Sequence, residues 1–400
     1  MYATNPVFIL FPLLSVLATA FFLKKFGDSP VDHGRFVGID GLRGYLAFFV
    51  FVHHAAIWYF YLQIGTWTSP PSALYTNLGQ ASVALFFMIT GFLFYNKLLD
   101  ARVRGIDWGK FFVSRVLRLL PLYLFMLFCM VTIVAFESKG VLNESVFVIA
   151  KSLVKWLSFT ILGDPDLNRL NDTWVIVAGV TWSLPYEWFF YLALPVLALT
   201  VRTVPPLPYL LLSLAGISWA VLRRIDPPLL MAFGGGIFAA LAVRSRRVCK
   251  IAEMPVGSIL AVSCAVAVVL LFPKINGSPQ MILLSLTFML VAGGATLFGG
   301  LASPVSRILG EMAYSMYLLH GILLFITINY VIGNSQMRAM SATSYWMVVT
   351  AISPLLIIIC HVTCRTIELP AMRQATKLTA WLRSFWKRTA QPSASISRPG

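Results

Sequence analysis

Charged side chains are scarce in this chain of 400 residues, and acidic side chains are the scarcest. Charged residues make up 12% of the sequence, with 31 Lys and Arg against 15 Asp and Glu, whereas hydrophobic residues make up 58%. A soluble globule of this length needs more polar surface than that. The mean hydropathy of +0.81 therefore excludes an ordinary soluble protein and predicts a chain that crosses a membrane several times.

Cysteine is rare as well, with five residues in the whole sequence. Four of them fall in apolar runs and Cys249 falls in a basic stretch, which excludes a disulfide framework outside the membrane. The spacing of Cys360, His361 and Cys364 allows a metal pair, but no further ligand cluster accompanies them. We predict ordinary packing there and no metal site. A folded basic domain is also lacking, so nucleic acid binding is not expected.

Apolar runs near the length of a membrane span are what the sequence has in abundance. They predict an all-α, polytopic transmembrane helical bundle of about 10–11 spans. The first run lacks the basic start and the small-residue cleavage site of a signal peptide, so we interpret it as a retained helix. The runs lie at 6–23, 41–62, 80–98, 117–136, 186–201, 207–222, 229–243, 255–272, 280–299, 310–332 and 344–364.

Basic residues gather between alternate pairs of these runs, in the 97–118 stretch, the cluster at 244–247 and the tail after Arg365. By the positive-inside rule, these stretches and the tail are expected in the cytoplasm, against anionic lipid headgroups, with the N-terminus outside. The 137–185 stretch then lies outside. It combines an amphipathic piece at 146–162 with a polar, turn-rich segment, and is either a lid over an opening or a plain connector.

Arg43 and His54 stand out because each is polar within a run that is otherwise apolar. Eleven residues of α-helix bring the two side chains to within about 20° of one face and separate them by about 16 Å along the axis. That separation is close to the reach of an extended phosphopantetheine arm, so the two side chains could hold both ends of one long thioester. Ionisable residues inside a membrane are costly and are functional candidates for that reason.

Five motifs in order resemble those of the acyltransferase 3 family of integral membrane acyltransferases. The first is Gly-Ile-Asp-Gly-Leu-Arg-Gly at 38–44 with His54, in which ten residues separate the Arg from the His. The others are Phe-Phe-Met-Ile-Thr-Gly-Phe at 86–92, Arg-x-x-Arg-x-x-Pro-x-Tyr at 115–123, Trp-Ser-Leu-Pro-Tyr-Glu at 182–187 and Tyr-Ser-Met-Tyr-Leu-Leu-His at 314–320. The departures are Thr90 where the family has Ser, Pro185-Tyr186 inside the Glu motif, an extra first helix, and the lack of an appended hydrolase-like domain.

The resemblance implies an enzyme that moves an acyl group, commonly acetyl, from acyl-CoA to a hydroxyl of a cell-envelope or exported carbohydrate. Acyl-CoA would be a co-substrate, and no permanently bound cofactor is expected. The implied organisation is an extra helix and basic loop at 1–35, an acyltransferase domain at 36–370 and a basic, partly disordered cytoplasmic tail at 371–400. A multi-pass protein of the bacterial inner membrane is expected, and the oligomeric state stays open.

In this interpretation His54 is the general base, because neutral imidazole suits proton removal from a hydroxyl near neutral pH. The adjacent His53 lies about 100° around the helix and either orients His54 indirectly or only packs between helices. Arg43 pairs with donor phosphate or, alternatively, with lipid phosphate. Arg115 and Arg118, three residues apart, either complete the phosphate pocket or only mark the cytoplasmic end of their span.

The candidates for binding the acceptor are Glu187, Tyr317 and His320. Glu187 is expected near the external end of its span, where it bonds either acceptor hydroxyls or a structural Arg. His320 lies at a depth similar to that of His54, so the two either share a cavity or His320 bonds another helix for structural reasons. Direct transfer is preferred to an acyl-enzyme, since no obvious nucleophile accompanies His54. The rival interpretations are a transporter or flippase of a lipid-linked precursor, which could also place ionisable residues along a polar path, and a membrane sensor that binds acyl-CoA without turnover.

Overall fold

The computed structural model describes residues 2–26, 36–222, 227–275 and 277–390. Helices dominate these residues, and no β-strand occurs among them, which confirms the all-α prediction. The α-helices are α1 Val7–Phe26, α2 Val37–Ile64, α3 Ala73–Arg104, α4 Trp108–Glu137, α5 Val146–Leu157, α6 Leu184–Thr200, α7 Leu207–Leu222, α8 Pro227–Ala242, α9 Arg246–Glu253, α10 Pro255–Leu271, α11 Ser278–Gly293, α12 Pro304–Glu311, α13 Ala313–Ile326, α14 Asn334–Ala339, α15 Ala342–Thr363, α16 Leu369–Arg373 and α17 Ala375–Ala390.

Six helical segments in the described part of the chain are long and apolar enough to cross a membrane, or seven if the bent pair α8 and α9 forms one span. Three further apolar helices, α7, α10 and α11, have 16 or 17 residues. Hydropathy alone predicts about 10–11 spans because it scores a short apolar helix much as it scores a full span. The polytopic helical bundle itself is confirmed.

The second helix, α2, organises the centre of the bundle and packs against α3, α12 and α13. Glycines permit this close approach on two sides. A Cβ added at Gly44 would lie 2.5 Å from the Leu309 Cβ, and one added at Gly79 on α3 would lie 2.3 Å from the His53 ring. Small residues that let helices approach closely are the usual packing device in membranes. Here they fix the position of α2, which carries both Arg43 and His54.

The extra first helix packs along α15 and α12. Phe8 stacks on Trp346 with ring centroids 6.0 Å apart, and the Trp346 Nε1 donates a hydrogen bond to the Ala3 carbonyl at 2.9 Å. The helix is therefore attached to the bundle by specific contacts. The predicted basic loop after it, residues 27–35, and the predicted disordered tail end, residues 391–400, lie outside the described residues.

The segment between α4 and α6 is compact despite its polar composition. It contains α5, which falls within the amphipathic piece predicted at 146–162, and two 3₁₀ turns at Thr173–Val177 and Val180–Ser183. Asn168 ties the segment to the end of α4, since its side chain accepts from the Asn143 amide at 2.7 Å and donates to the Val141 carbonyl at 2.8 Å. The 3₁₀ turns lie against α13, so this segment covers one end of the bundle.

Candidate active site

Three arginines lie around one cavity of about 270 Å³, which we call the arginine cavity. Arg43 comes from the second turn of α2, whereas Arg115 and Arg118 come from the start of α4. The Arg115 guanidinium stacks over the Phe94 ring at 5.0 Å, and the Arg118 Nη1 lies 3.4 Å from the Met372 sulfur. Planar guanidinium groups that converge in this way are suited to phosphate.

Glu187 lines the same arginine cavity. Its carboxylate accepts a hydrogen bond from the Tyr191 hydroxyl one turn further along α6, and it lies within electrostatic range of Arg43. The sequence places Glu187 near the external end of its span, bonded either to acceptor hydroxyls or to a structural Arg. The structure puts it in the same cavity as Arg43, Arg115 and Arg118.

Glu368 is a second carboxylate near the arginines, and the sequence interpretation missed it. Only 2% of this residue is exposed, and it accepts a hydrogen bond from the Ser315 hydroxyl. Its carboxylate also interacts electrostatically with the Arg43 guanidinium. The sequence does contain a signal for Glu368, because it is a lone acidic residue close to a long apolar run. Such residues are functional candidates in membrane proteins.

His54 and His320 form a buried pair. The His320 Nε2 and the His54 Nδ1 lie 2.9 Å apart, although 266 residues separate the two in sequence. The His320 Nδ1 lies 2.8 Å from the Met316 carbonyl, and the His54 Nδ1 lies 3.1 Å from the Val50 carbonyl. Each of these carbonyls belongs to the preceding turn of the same helix.

These distances determine which nitrogen of each neutral ring carries the proton. A carbonyl oxygen only accepts, so the His320 Nδ1 is protonated and its Nε2 is an acceptor. The His54 Nδ1 must then be the donor to His320, which leaves the Nε2 of His54 as a free base. His320 therefore holds His54 in the tautomer that a general base requires.

His54 also lines a second cavity of about 380 Å³, which we call the histidine cavity. His53 lines it too, and its Nδ1 donates to the Tyr75 carbonyl at 2.8 Å. The His53 ring packs against Gly79 and meets His54 edge-on, with ring centroids 5.1 Å apart. His53 thus has a packing role that also brings it next to His54.

The arginine cavity and the histidine cavity meet at two side chains. Val83 and Tyr317 line both of them. The Tyr317 hydroxyl donates to the Val180 carbonyl at 3.0 Å and lies 2.7 Å from the Ser183 hydroxyl, which borders the arginine cavity. A long molecule that enters the arginine cavity would therefore end beside Tyr317, next to the histidine pair.

The segment between α4 and α6 forms one wall of the histidine cavity. Asp164, Trp174 and Trp182 line it from this segment, opposite Trp67 from the loop between α2 and α3. Trp67 stacks near His54, with ring centroids 6.3 Å apart, and meets Trp174 edge-on at 5.8 Å. The segment therefore contributes to the wall of the histidine cavity, and its role as a lid stays a prediction.

In the part of the chain that the structure describes, no group of three His, Cys, Asp or Glu side chains that could hold a metal ion occurs. Cys360 on α15 and Cys364, directly after the end of α15, are buried free thiols.

The fold and the site define a helical membrane protein with an arginine-lined cavity and a histidine-lined cavity that meet inside the bundle. The acyltransferase domain of the acyltransferase 3 family matches residues 36–365, and the chain belongs to this family. Acyltransferase MdmB of Streptomyces mycarofaciens is 30% identical over 181 residues, which is 43% of this chain and 41% of that protein. The chain thus spans about two fifths of the length of this curated relative. No solved structure gives a significant match.

Proposed function

We propose that this protein transfers an acyl group, acetyl in the simplest case, from acyl-CoA to a hydroxyl of a carbohydrate acceptor. The observation that carries the proposal is the position of His54. His54 lines the histidine cavity, which shares Val83 and Tyr317 with the arginine cavity. Family membership supports acyl transfer, and the three arginines support a phosphate-bearing donor.

The donor would occupy the arginine cavity. Its phosphates would pair with Arg43, Arg115 and Arg118, while its pantetheine arm follows α2 for about 16 Å toward Tyr317. Both ends of this path lie on one continuous helix, Val37–Ile64. The thioester carbon would then lie beside His54, and the acceptor would approach from the histidine cavity.

The reaction needs one proton acceptor and no other reagent. The Nε2 of His54 takes the proton from the acceptor hydroxyl as the oxygen attacks the thioester carbon. When the carbon–sulfur bond breaks, the imidazolium returns the proton to the coenzyme A sulfur, which gives a free thiol and an O-acyl ester. His320 accepts a hydrogen bond from the His54 Nδ1 throughout and stabilises the imidazolium.

Because the two cavities extend away from one junction, we also infer that donor and acceptor enter from different sides of the membrane. We assign the arginine cavity to the cytoplasmic side, following the basic residues near it, and the histidine cavity to the outside of a bacterial inner membrane. This arrangement needs no covalent carrier, so we keep direct transfer as the mechanism.

Comparing the glycans and exported metabolites of cells with and without the gene tests this function. Mass spectrometry should find at least one carbohydrate that loses the mass of an acetyl or related acyl group when the gene is deleted. The purified protein should then transfer label from acyl-CoA to that carbohydrate. An unchanged acylation profile, combined with altered export of a lipid-linked precursor, would favour the transporter interpretation, and unchanged acylation and export would favour an acyl-CoA sensor.

A further inference from the structure

A third cavity, of about 790 Å³, lies next to the histidine cavity at the end of α2, and we call it the outer cavity. Polar side chains of several kinds line it. They comprise four amides, one hydroxyl, one carboxylate and one guanidinium, which belong to Gln63, Asn171, Asn329, Asn334, Ser335, Asp172 and Arg338. None of these residues has a part in the acyl transfer described above.

Aromatic rings form the wall between the outer cavity and the histidine cavity. Trp67 lines the histidine cavity, while Trp58 and Tyr61 line the outer cavity. The Trp67 ring meets the Trp58 ring edge-on at 5.3 Å and the Tyr61 ring at 5.4 Å. Trp174 and Val175 are consecutive residues, one in each cavity, and the Trp174 ring contacts the Trp67 ring. The two cavities are therefore neighbours, with this aromatic cluster at their border.

Trp58 gives an independent indication of a ligand. It is 2% exposed, and its indole Nε1 has no hydrogen-bond acceptor in the part of the chain that the structure describes. An indole nitrogen can only donate, and a buried donor without a partner is destabilising. Native proteins seldom leave such a donor unpaired without a reason. Trp58 lines the outer cavity, so a ligand oxygen that reached its indole nitrogen from there would satisfy this donor.

The chemistry of the lining points to a neutral ligand rich in hydroxyls. Amide side chains both donate and accept, which suits hydroxyl groups. Arg338 is balanced by Asp172, so the cavity offers no excess positive charge to a phosphate or sulfate. The side chains of Trp58 and Tyr61 add aromatic faces to this polar set, a combination that suits a sugar ring with one apolar face.

Distance along α2 sets the size of that ligand. His54, Trp58 and Tyr61 follow one another at four and three residues, so they lie on one face of the helix. Tyr61 lies about 10 Å beyond His54 along the axis. This separation is more than a single pyranose ring spans.

We propose that the outer cavity binds a second, non-reacting glycosyl unit of the acceptor while the reacting unit occupies the histidine cavity. The inference rests on the proposed acyl transfer. It narrows the acceptor to a carbohydrate or glycoside of at least two units. The outer cavity then contributes to choice of acceptor and has no role in donor binding.

Acceptors of increasing length test this subsite. The probes are 4-nitrophenyl glycosides of glucose, galactose and N-acetylglucosamine with one, two or three units, supplied with radiolabelled acetyl-CoA to the purified full-length protein. In the wild type, kcat/KM should rise from one unit to two. In the double variant Asn334→Ala and Arg338→Ala, the ratio of kcat/KM for two units to that for one unit should fall about tenfold.

Gln336→Ala is the matched control, because Gln336 is an exposed polar residue of the same helix that does not line the outer cavity. It should keep the wild-type ratio. A double variant that also keeps the wild-type ratio, or a wild type with no preference for two units, would overturn the subsite while acyl transfer stands. A wild type that acylates none of the probes, or transfer that survives His54→Gln, would instead contradict the proposed function and with it the subsite.

Discussion

At the scale of single residues, the account depends on the hydrogen bond between His54 and His320. Replacing His320 by Ala removes the acceptor for the His54 Nδ1–H and leaves the Val50 carbonyl as its remaining partner. A hydrogen bond to a charged group is worth about 1.5–3 kcal/mol, so we expect kcat to fall about tenfold to a hundredfold. The KM for acyl-CoA should not change, since His320 lies away from the arginine cavity.

The variant His320→Gln is the control for a merely structural role. The Gln carbonyl can accept the same hydrogen bond, so kcat should recover in part. Steady-state kinetics on both purified variants make the comparison. Equal kcat in His320→Ala and the wild type would show that the pair does not assist the base.

Arg43 gives a second prediction at this scale. Removing its guanidinium in Arg43→Ala should weaken acyl-CoA binding by about tenfold or more, whereas His54→Ala should leave that binding nearly unchanged. Arg43→Lys should restore part of the affinity, because Lys keeps the charge but lacks the planar fork. Calorimetry on the detergent-solubilised protein measures all three, and a wild-type affinity in Arg43→Ala would refute the phosphate assignment.

The roles and positions of the site residues were predictable from the sequence to different degrees. Arg43 and His54 stood out because each is a polar residue in an apolar run. The sequence allowed either a cavity shared by His54 and His320 or a structural bond from His320 to another helix. It did not predict their direct contact, since that depends on how α2 and α13 are aligned across 266 residues. The place of Glu187 in the arginine cavity was not predictable, because it depends on how α6 packs near the distant helices that carry the arginines.

At the scale of elements, α2 sets the distance and the relative rotation between Arg43 in the arginine cavity and His54 in the histidine cavity. Inserting one Ala between Phe48 and Phe49 would rotate His54 by about 100° relative to Arg43 and add about 1.5 Å. The hydrogen bond to His320 would be lost with the shared face, and transfer should become undetectable. The measurement is transfer of label by the purified variant, after cysteine accessibility shows normal insertion. Normal transfer by the correctly inserted variant would contradict a single rigid helix that links phosphate to thioester.

Each apolar run of the sequence corresponds to a helix, because burial of apolar side chains and internal hydrogen bonding both favour helices in lipid. Details that depend on backbone geometry differ. The run at 280–299 is helical only to Gly293, where Gly294 turns the chain with φ +126. The run at 310–332 contains the boundary between α12 and α13. Hydropathy reports the composition of these segments but contains no information about such turns.

At the scale of the whole molecule, the central feature is that two cavities meet inside the bundle. We expect acetyl-CoA to act from the arginine side, while the acylated hydroxyl appears on the histidine side. Acyl transfer can be measured in proteoliposomes in which acetyl-CoA is confined to one compartment. Labelling of reporter cysteines at the exposed positions Val103 and Val141 determines the orientation of the protein in the bilayer. Transfer that requires donor and acceptor on the same side would rule out the two-sided arrangement.

The whole-molecule arrangement was only partly accessible from sequence. The motifs at 38–54 and 115–123 contain the arginines that we propose bind the donor, but no pattern in the sequence shows that Tyr317 and Val83 join two cavities. The coverage of the histidine cavity by Trp174 was open for a similar reason. Packing between distant segments determines it, and local periodicity does not report such packing.

The most direct test of the central claim is single-turnover transfer by purified His54→Gln protein, with donor binding measured on the same sample. The account predicts that acyl-CoA binds with near wild-type affinity while the rate of acyl transfer falls by about a hundredfold or more, because the general base is missing and the donor site is intact. Transfer at the wild-type rate by a correctly inserted His54→Gln protein would contradict the assignment of His54 as the base.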